Sequence, residues 1–74
     1  MPDAEVAEIY VKPGAKITKS KVKDLKLPFG MTLAAMVHDN EVMLVNGNTE
    51  IQGGDYVVVF SLMGTIGKIE KWFS

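Results

Sequence analysis

The sequence predicts an α+β fold: a small antiparallel β-meander sheet with a short helix after the first strand and a C-terminal helix packed on it, in the order β-α-β-β-β-α. Three observations predict it. Residues 33–60, LAAMVHDNEVMLVNGNTEIQGGDYVVVF, alternate apolar runs of strand length with polar groups rich in Asn, Asp and Gly, the residues that tolerate positive φ or hydrogen-bond their own backbone. Upstream, Ala7, Ile9 and Val11 alternate with Glu8 and Tyr10, the period of a strand with one apolar face. Downstream, Leu62, Ile66, Ile69 and Phe73 recur at intervals of four, three and four, the period of a helix.

In chain order, the first strand is expected over 5–11. Pro13-Gly14 ends it, because Pro offers no ladder donor and Gly bends the chain. Thr18 is the candidate N-cap of a short helix reaching about Leu25, with Ile17, Val22 and Leu25 facing the core and the lysines facing water. Pro28 and Gly30 stop it. Residues 31–37 are nearly all apolar, so this strand is expected to be covered on both faces. A short Asp39-Asn40 turn leads into a strand over 41–45. Asn46-Gly47 is a strong type I′ hairpin signal. Residues 49–52 form a weak extended piece, Gly53-Gly54-Asp55 turns the chain, and the β-branched and aromatic run 56–61 is the best strand by propensity. Thr65 is the candidate N-cap of the last helix, Lys68 and Lys71 suit its C-terminal dipole, and Trp72 lies beside its apolar stripe.

A chain of 74 residues is one small domain, and a core of that size is marginal, so a partner chain or neighbouring domain is expected. Without cysteine it has neither disulfides nor a thiolate metal site. Eight basic against nine acidic residues leave a net charge of −1, which gives no global attraction to nucleic acid or anionic lipid. Six of the eight basic residues, Lys12, Lys16, Lys19, Lys21, Lys23 and Lys26, fall within 15 positions; this run reads as a solvated face, with a phosphate-attracting patch as the alternative. Met1-Pro2-Asp3-Ala4-Glu5 has no apolar region of a secretory signal, and no apolar run is long enough to span a membrane.

Reactive groups are few. His38 is the one histidine. It sits at a strand end beside Asp39, where it reads as a turn residue, with a proton-switch or ligand-contact role as the alternative. No serine carries a nucleophile motif, and Gly64-Thr65-Ile66-Gly67-Lys68 lacks the upstream glycine of a phosphate loop. Asp55 most simply caps its own turn, and the EF-hand calcium pattern is absent. Trp72 and Phe73 either complete the core or anchor an interface. The residues point to no catalytic set.

From Ala4-Glu5-Val6 to Trp72-Phe73 the chain resembles the TrkA C-terminal (RCK-C) domain of Trk/Ktr-type potassium-uptake regulatory proteins. The carriers are Lys23-Asp24-Leu25-Lys26-Leu27-Pro28, Leu33-Ala34-Ala35-Met36-Val37, Glu41-Val42, Asn46-Gly47, Ile51-Gln52, Gly54-Asp55, Val57-Val58-Val59-Phe60 and Ile69-Glu70-Lys71-Trp72-Phe73. The order and spacing together make the match specific. His38 stands where such domains commonly have Arg, and Val45 and Gly53 where Pro is usual; the two turn changes are expected to loosen loops without threatening the fold.

The resemblance implies that residues 1–74 form a single regulatory domain, a fragment of a longer protein. It implies a non-catalytic, ligand-sensing homodimer controlling a potassium channel or transporter. Its implied partners are a Rossmann-like nucleotide-binding lobe and a membrane transporter subunit. Its implied place is cytoplasmic, peripheral to the inner membrane. It implies no resident cofactor, with a cyclic dinucleotide or cation as effector. Ligand contacts are expected at Leu33, His38 and Asn46, and dimer contacts at Val37, Trp72 and Phe73. A neutral imidazole at position 38 would hold a phosphate less well than a bidentate Arg. The rival reading is a small enzyme, or enzyme subunit, using His38 and Asp39 in proton transfer.

Overall fold

The computed structural model describes residues 3–62 and 64–74; the side chain of Ile66, part of the expected helical stripe, lies outside what is described. Four strands form one antiparallel sheet: β1 (Ala4–Tyr10), β2 (Met31–His38), β3 (Glu41–Leu44) and β4 (Tyr56–Leu62), followed by one helix, α1 (Ile66–Phe73). The strand order is β1-β4-β2-β3. The expected α+β class and antiparallel pairing hold. One connection departs from a simple meander, because β4 pairs with β1 and β2 and leaves β3 at an edge.

The hairpin turn also sits one connection earlier than its strongest sequence signal. Asp39 and Asn40 both adopt positive φ, 48° and 67°, and close the β2–β3 hairpin as a type I′ pair. The Asn46-Gly47 segment turns the chain without making a hairpin. There the Asn48 N–H donates to Asn46 Oδ1 at 2.8 Å and the Asn46 N–H to Thr49 Oγ1 at 2.9 Å. This side-chain-closed turn docks on the segment after β1, where the Lys23 N–H donates to the Gly47 carbonyl and the Val22 N–H to that of Thr49. Residues 49–52 join no strand of the sheet.

The expected helix 18–25 is two single 3-10 turns, Lys16–Thr18 and Val22–Asp24, separated by an extended Lys21 (φ −63°, ψ 153°). Two causes are visible. The Thr18 hydroxyl donates back to the Ala15 carbonyl at 2.7 Å instead of accepting from a following N–H. And a continuous helix would place Lys19 beside Lys23 at like-charge spacing. The apolar side chains keep their expected direction: Ile17 is fully buried, and Val22 and Leu25 pack against the core.

One face of the sheet carries the core. Val57, Val59 and Ser61 of β4 are buried there, with Leu33 and Met36 of β2. Residues 33 and 36 share a face despite their odd spacing because a bulge between Leu33 and Ala35 shifts the register. Ile69, Trp72 and Phe73 of α1 close over them with Ile17 and Ile51. Thr65 takes the N-cap position without a capping bond; its hydroxyl donates to the Leu62 carbonyl at 2.6 Å. Leu62 itself belongs to β4 and not to the helical stripe. The end of α1 is tied to the end of β1 by the Lys12 N–H, which donates to the Phe73 carbonyl at 2.9 Å.

Gly53 is a tightly fitted position, not a loosened loop. A β-carbon there would lie 2.6 Å from Pro13 Cα, so the 52–55 turn rests directly on the Pro13 backbone and only glycine fits without displacement.

Candidate functional site

The fold brings its one histidine to a buried carboxylate. β2 and β4 pair with Val37 opposite Tyr56, so continuing the register sets His38 beside Asp55. His38 Nδ1–H donates to Asp55 Oδ1 at 2.6 Å, and Asp55 is 2% exposed. The other carboxylate oxygen of Asp55 accepts the Gln52 N–H at 3.0 Å. Asp55 therefore closes its own turn, as its sequence context suggests, and clasps His38 as well. The second ring nitrogen of His38, Nε2, lies 3.3 Å from exposed Asp39. The hydrogen bond to Asp55, then the charges of Asp39, Asp55 and Glu41, raise the His38 pKa above its usual value against a smaller opposing effect of burial.

This arrangement favours an imidazolium held among carboxylates. It does not prime a nucleophile, since both ring nitrogens face acids. The buried Ser61 hydroxyl, which has no hydrogen-bond partner among the described residues, pairs with Met31 at the far end of β2. His38 is seven residues along the strand from Met31, roughly 23 Å. Sequence reasoning places His38 with Asp39 and misses the shorter bond to Asp55. That bond was readable only if β4 was set against β2.

The other expected ligand residues are dispersed. Leu33 is a core residue, 7% exposed. Asn46 follows Val45, whose N–H bonds the Ala34 carbonyl, so Asn46 lies near the Leu33 end of β2. His38 is five residues further along, roughly 16 Å away. Asn46 is engaged in its own turn. The three do not converge on one cavity. Among the described residues no group of three or more His, Cys, Asp or Glu side chains is suited to a metal ion.

Of the expected pairing residues, Trp72 and Phe73 point into the fold, at 8% and 3% exposure. Val37 lies on the other side of the sheet, half-buried. The registers show what shares that side: Val6 faces Phe60 and Tyr10 faces Tyr56 across β1–β4, and Val37 faces Val42 and Ala35 faces Leu44 across β2–β3. The Tyr10 and Tyr56 rings are 5.3 Å apart. Val42 and Leu44 are 72% and 83% exposed, and Phe60 is about half exposed. β2 is thus covered on one face only within the chain, against the expectation of two. The sheet presents water with a largely apolar face, interrupted by Glu8 and Thr32.

The sequence model of the TrkA-C domain family matches residues 6–74. The chain belongs to the TrkA-C domain family. This TrkA-C domain is 31% identical over 70 residues to the Trk system potassium uptake protein TrkA homolog 2 of Methanosarcina mazei, covering 95% of this chain and 16% of that protein. It is 34% identical over 68 residues to the TrkA homolog of Archaeoglobus fulgidus, covering 92% of this chain and 15% of that one. The TrkA-C domain thus spans about one sixth of the length of these curated relatives. Its fold also matches a solved structure of an RCK domain with cda, with a TM-score of 0.81 at 14% identity, over 93% of this chain and 97% of that one. No helix among the described residues is long and apolar enough to cross a membrane.

Proposed function

We propose that this TrkA-C domain is a non-catalytic regulatory module of a potassium-uptake system, and that it works as a homodimer paired through the open face of its sheet. The observation that carries the reading is that face. A monomeric soluble domain rarely leaves a contiguous apolar sheet face in water. Glu8 is the one charged side chain among the strand positions that share it, so a second copy meets little like-charge repulsion there. Val37 belongs to this proposed interface. Trp72 and Phe73 support it from inside, by holding the helix against the opposite side of the sheet. Family membership and the relatives named as potassium-uptake proteins support the transport role. In the same reading the domain works in the cytoplasm beside a membrane transporter subunit and a nucleotide-binding lobe of the parent protein.

An effector shifts such a pair only through different affinities for its arrangements. The RCK domain of like fold was solved with cda, which supports a small effector for domains of this shape. We assign His38 and Asn46 to two separate surface positions available to an effector, with Leu33 in the core near the Asn46 position. Around His38 the carboxylates of Asp39, Asp55 and Glu41 disfavour a phosphate, and the cation they hold is the imidazolium itself.

Light scattering after size exclusion, across a dilution series, tests the pairing. The wild-type chain should elute as a dimer and Phe60→Lys as a monomer with unchanged circular dichroism. A wild-type monomer at every concentration would overturn the homodimer, leaving family membership untouched.

A further inference from the structure

The lysine run after β1 is not an evenly solvated face. The two 3-10 turns and α1 border an open, shallow cleft of about 290 Å³ whose lining includes Lys16, Lys19, Lys26, Ser20, Leu25 and Trp72. Its apolar part is the half-buried Leu25 and the small exposed part of Trp72, whose ring is otherwise buried in the core. Its rim is cationic: Asp24 is the one acid in the lining against three lysines. Among the described residues the ion pairs all involve His38, so none of these three ammonium groups is in direct ion-pair contact with a carboxylate, although Asp24 lines the same cleft. Lys16 Nζ is held 4.3 Å from the centre of the Trp72 ring, a cation–π contact that fixes one ammonium over the aromatic wall. This cation cluster belongs to a chain of net charge −1, so it is a local field and not a reflection of overall basicity. A concave site with an apolar wall focuses such a field.

We propose that this cleft binds a small soluble anion carried on a flat apolar body, an aryl phosphate or aryl carboxylate. The volume, at the small end for small-molecule sites, suits one ring with its anionic group. The ring would lie against Leu25, touching Trp72 only at its small exposed part beside Lys16. The anion would meet Lys19 and Lys26, with the Ser20 hydroxyl as a further donor. The proposal stands on the cleft alone and is independent of the dimer reading, which concerns the opposite side of the sheet.

Trp72 is the sole tryptophan, so its indole N–H is a single NMR reporter at the site. The test titrates the 74-residue chain with phenyl phosphate and, separately, with inorganic phosphate. Phenyl phosphate should shift the indole signal saturably, and inorganic phosphate should bind more weakly for want of the apolar body. Lys19→Ala/Lys26→Ala should weaken phenyl phosphate about tenfold, and Lys12→Ala/Lys21→Ala, the same loss of charge outside the cleft, should change it less than about twofold. Amide spectra of both variants confirm the fold. A non-saturating shift, or equal losses in the two variants, would overturn the site in favour of general electrostatics. Response only to phosphatidylglycerol vesicles, with none to phenyl phosphate, would assign the lysines to a lipid surface and overturn it too.

Discussion

At the scale of single residues the His38–Asp55 bond makes the domain sensitive to pH. His38 gains its Asp55 hydrogen bond, the largest cause of the shift, only on folding, so its folded pKa is raised above the unfolded value near 6.5. A raised pKa means that the folded state holds the proton more tightly. The stabilisation is therefore fully present below pH 6.5 and is lost as pH rises through the folded value. Urea midpoints should fall across that interval for the wild type, and His38→Gln should flatten the dependence. An imidazole titration midpoint at or below 6.5 would contradict the assignment. Ser61 predicts a change of the opposite kind. Its hydroxyl is buried without a partner among the described residues, and an unsatisfied polar group costs about 1–3 kcal/mol. Ser61→Ala should therefore raise stability, by about 1 kcal/mol in chemical denaturation. Asp55 shows where legibility ended at this scale. Its turn-closing role followed from the Gly-Gly-Asp context, because an Asx bond is local. Its bond to His38 depends on which strands are neighbours, and no local pattern encodes that.

The elements differ in how plainly the sequence announces them. β1 and β4 were readable because alternation and β-branching act within each segment. β2 was readable as a strand, but its bulge was not, since the shift between Leu33 and Ala35 arises from pairing with β4. Two 3-10 turns stand where one helix is expected because the apolar pattern of Ile17, Val22 and Leu25 fixes which side is buried, not how the backbone hydrogen-bonds. The decision rests on backbone competition by Thr18 and on lysine repulsion, which that pattern does not contain. α1 was legible from Ile69 and Phe73, whose spacing is met in the buried face. It has only eight residues, too few to persist as an isolated helix, so its stability comes from docking. Ile69→Ala should thus cost about 2–5 kcal/mol, and Glu70→Ala, on the exposed side, under about 0.5 kcal/mol. Urea denaturation of the two variants compares them directly. Equal effects would mean that α1 is not held by its apolar face.

For the whole molecule, the sequence predicts a small mixed fold with a marginal core, and the structure leaves one face of its sheet open. If a second copy covers that face, stability is linked to concentration, because association draws on the folded state alone. The melting temperature of the wild type should rise over a hundredfold increase in protein concentration, and that of Phe60→Lys should not. A concentration-independent wild type would separate the fold's stability from self-association. The strand order has a kinetic consequence as well. β4 is the last strand in the chain and lies second in the sheet, between β1 and β2. Until residues 56–62 are present, β1 has no neighbour to pair with and the β2–β3 hairpin is the only ladder that can form. A two-stranded hairpin alone is marginal in water. Both pairings of β4 close long loops, a slow entropic step, so the sheet forms late and nearly at once, when a single segment slides between two waiting edges.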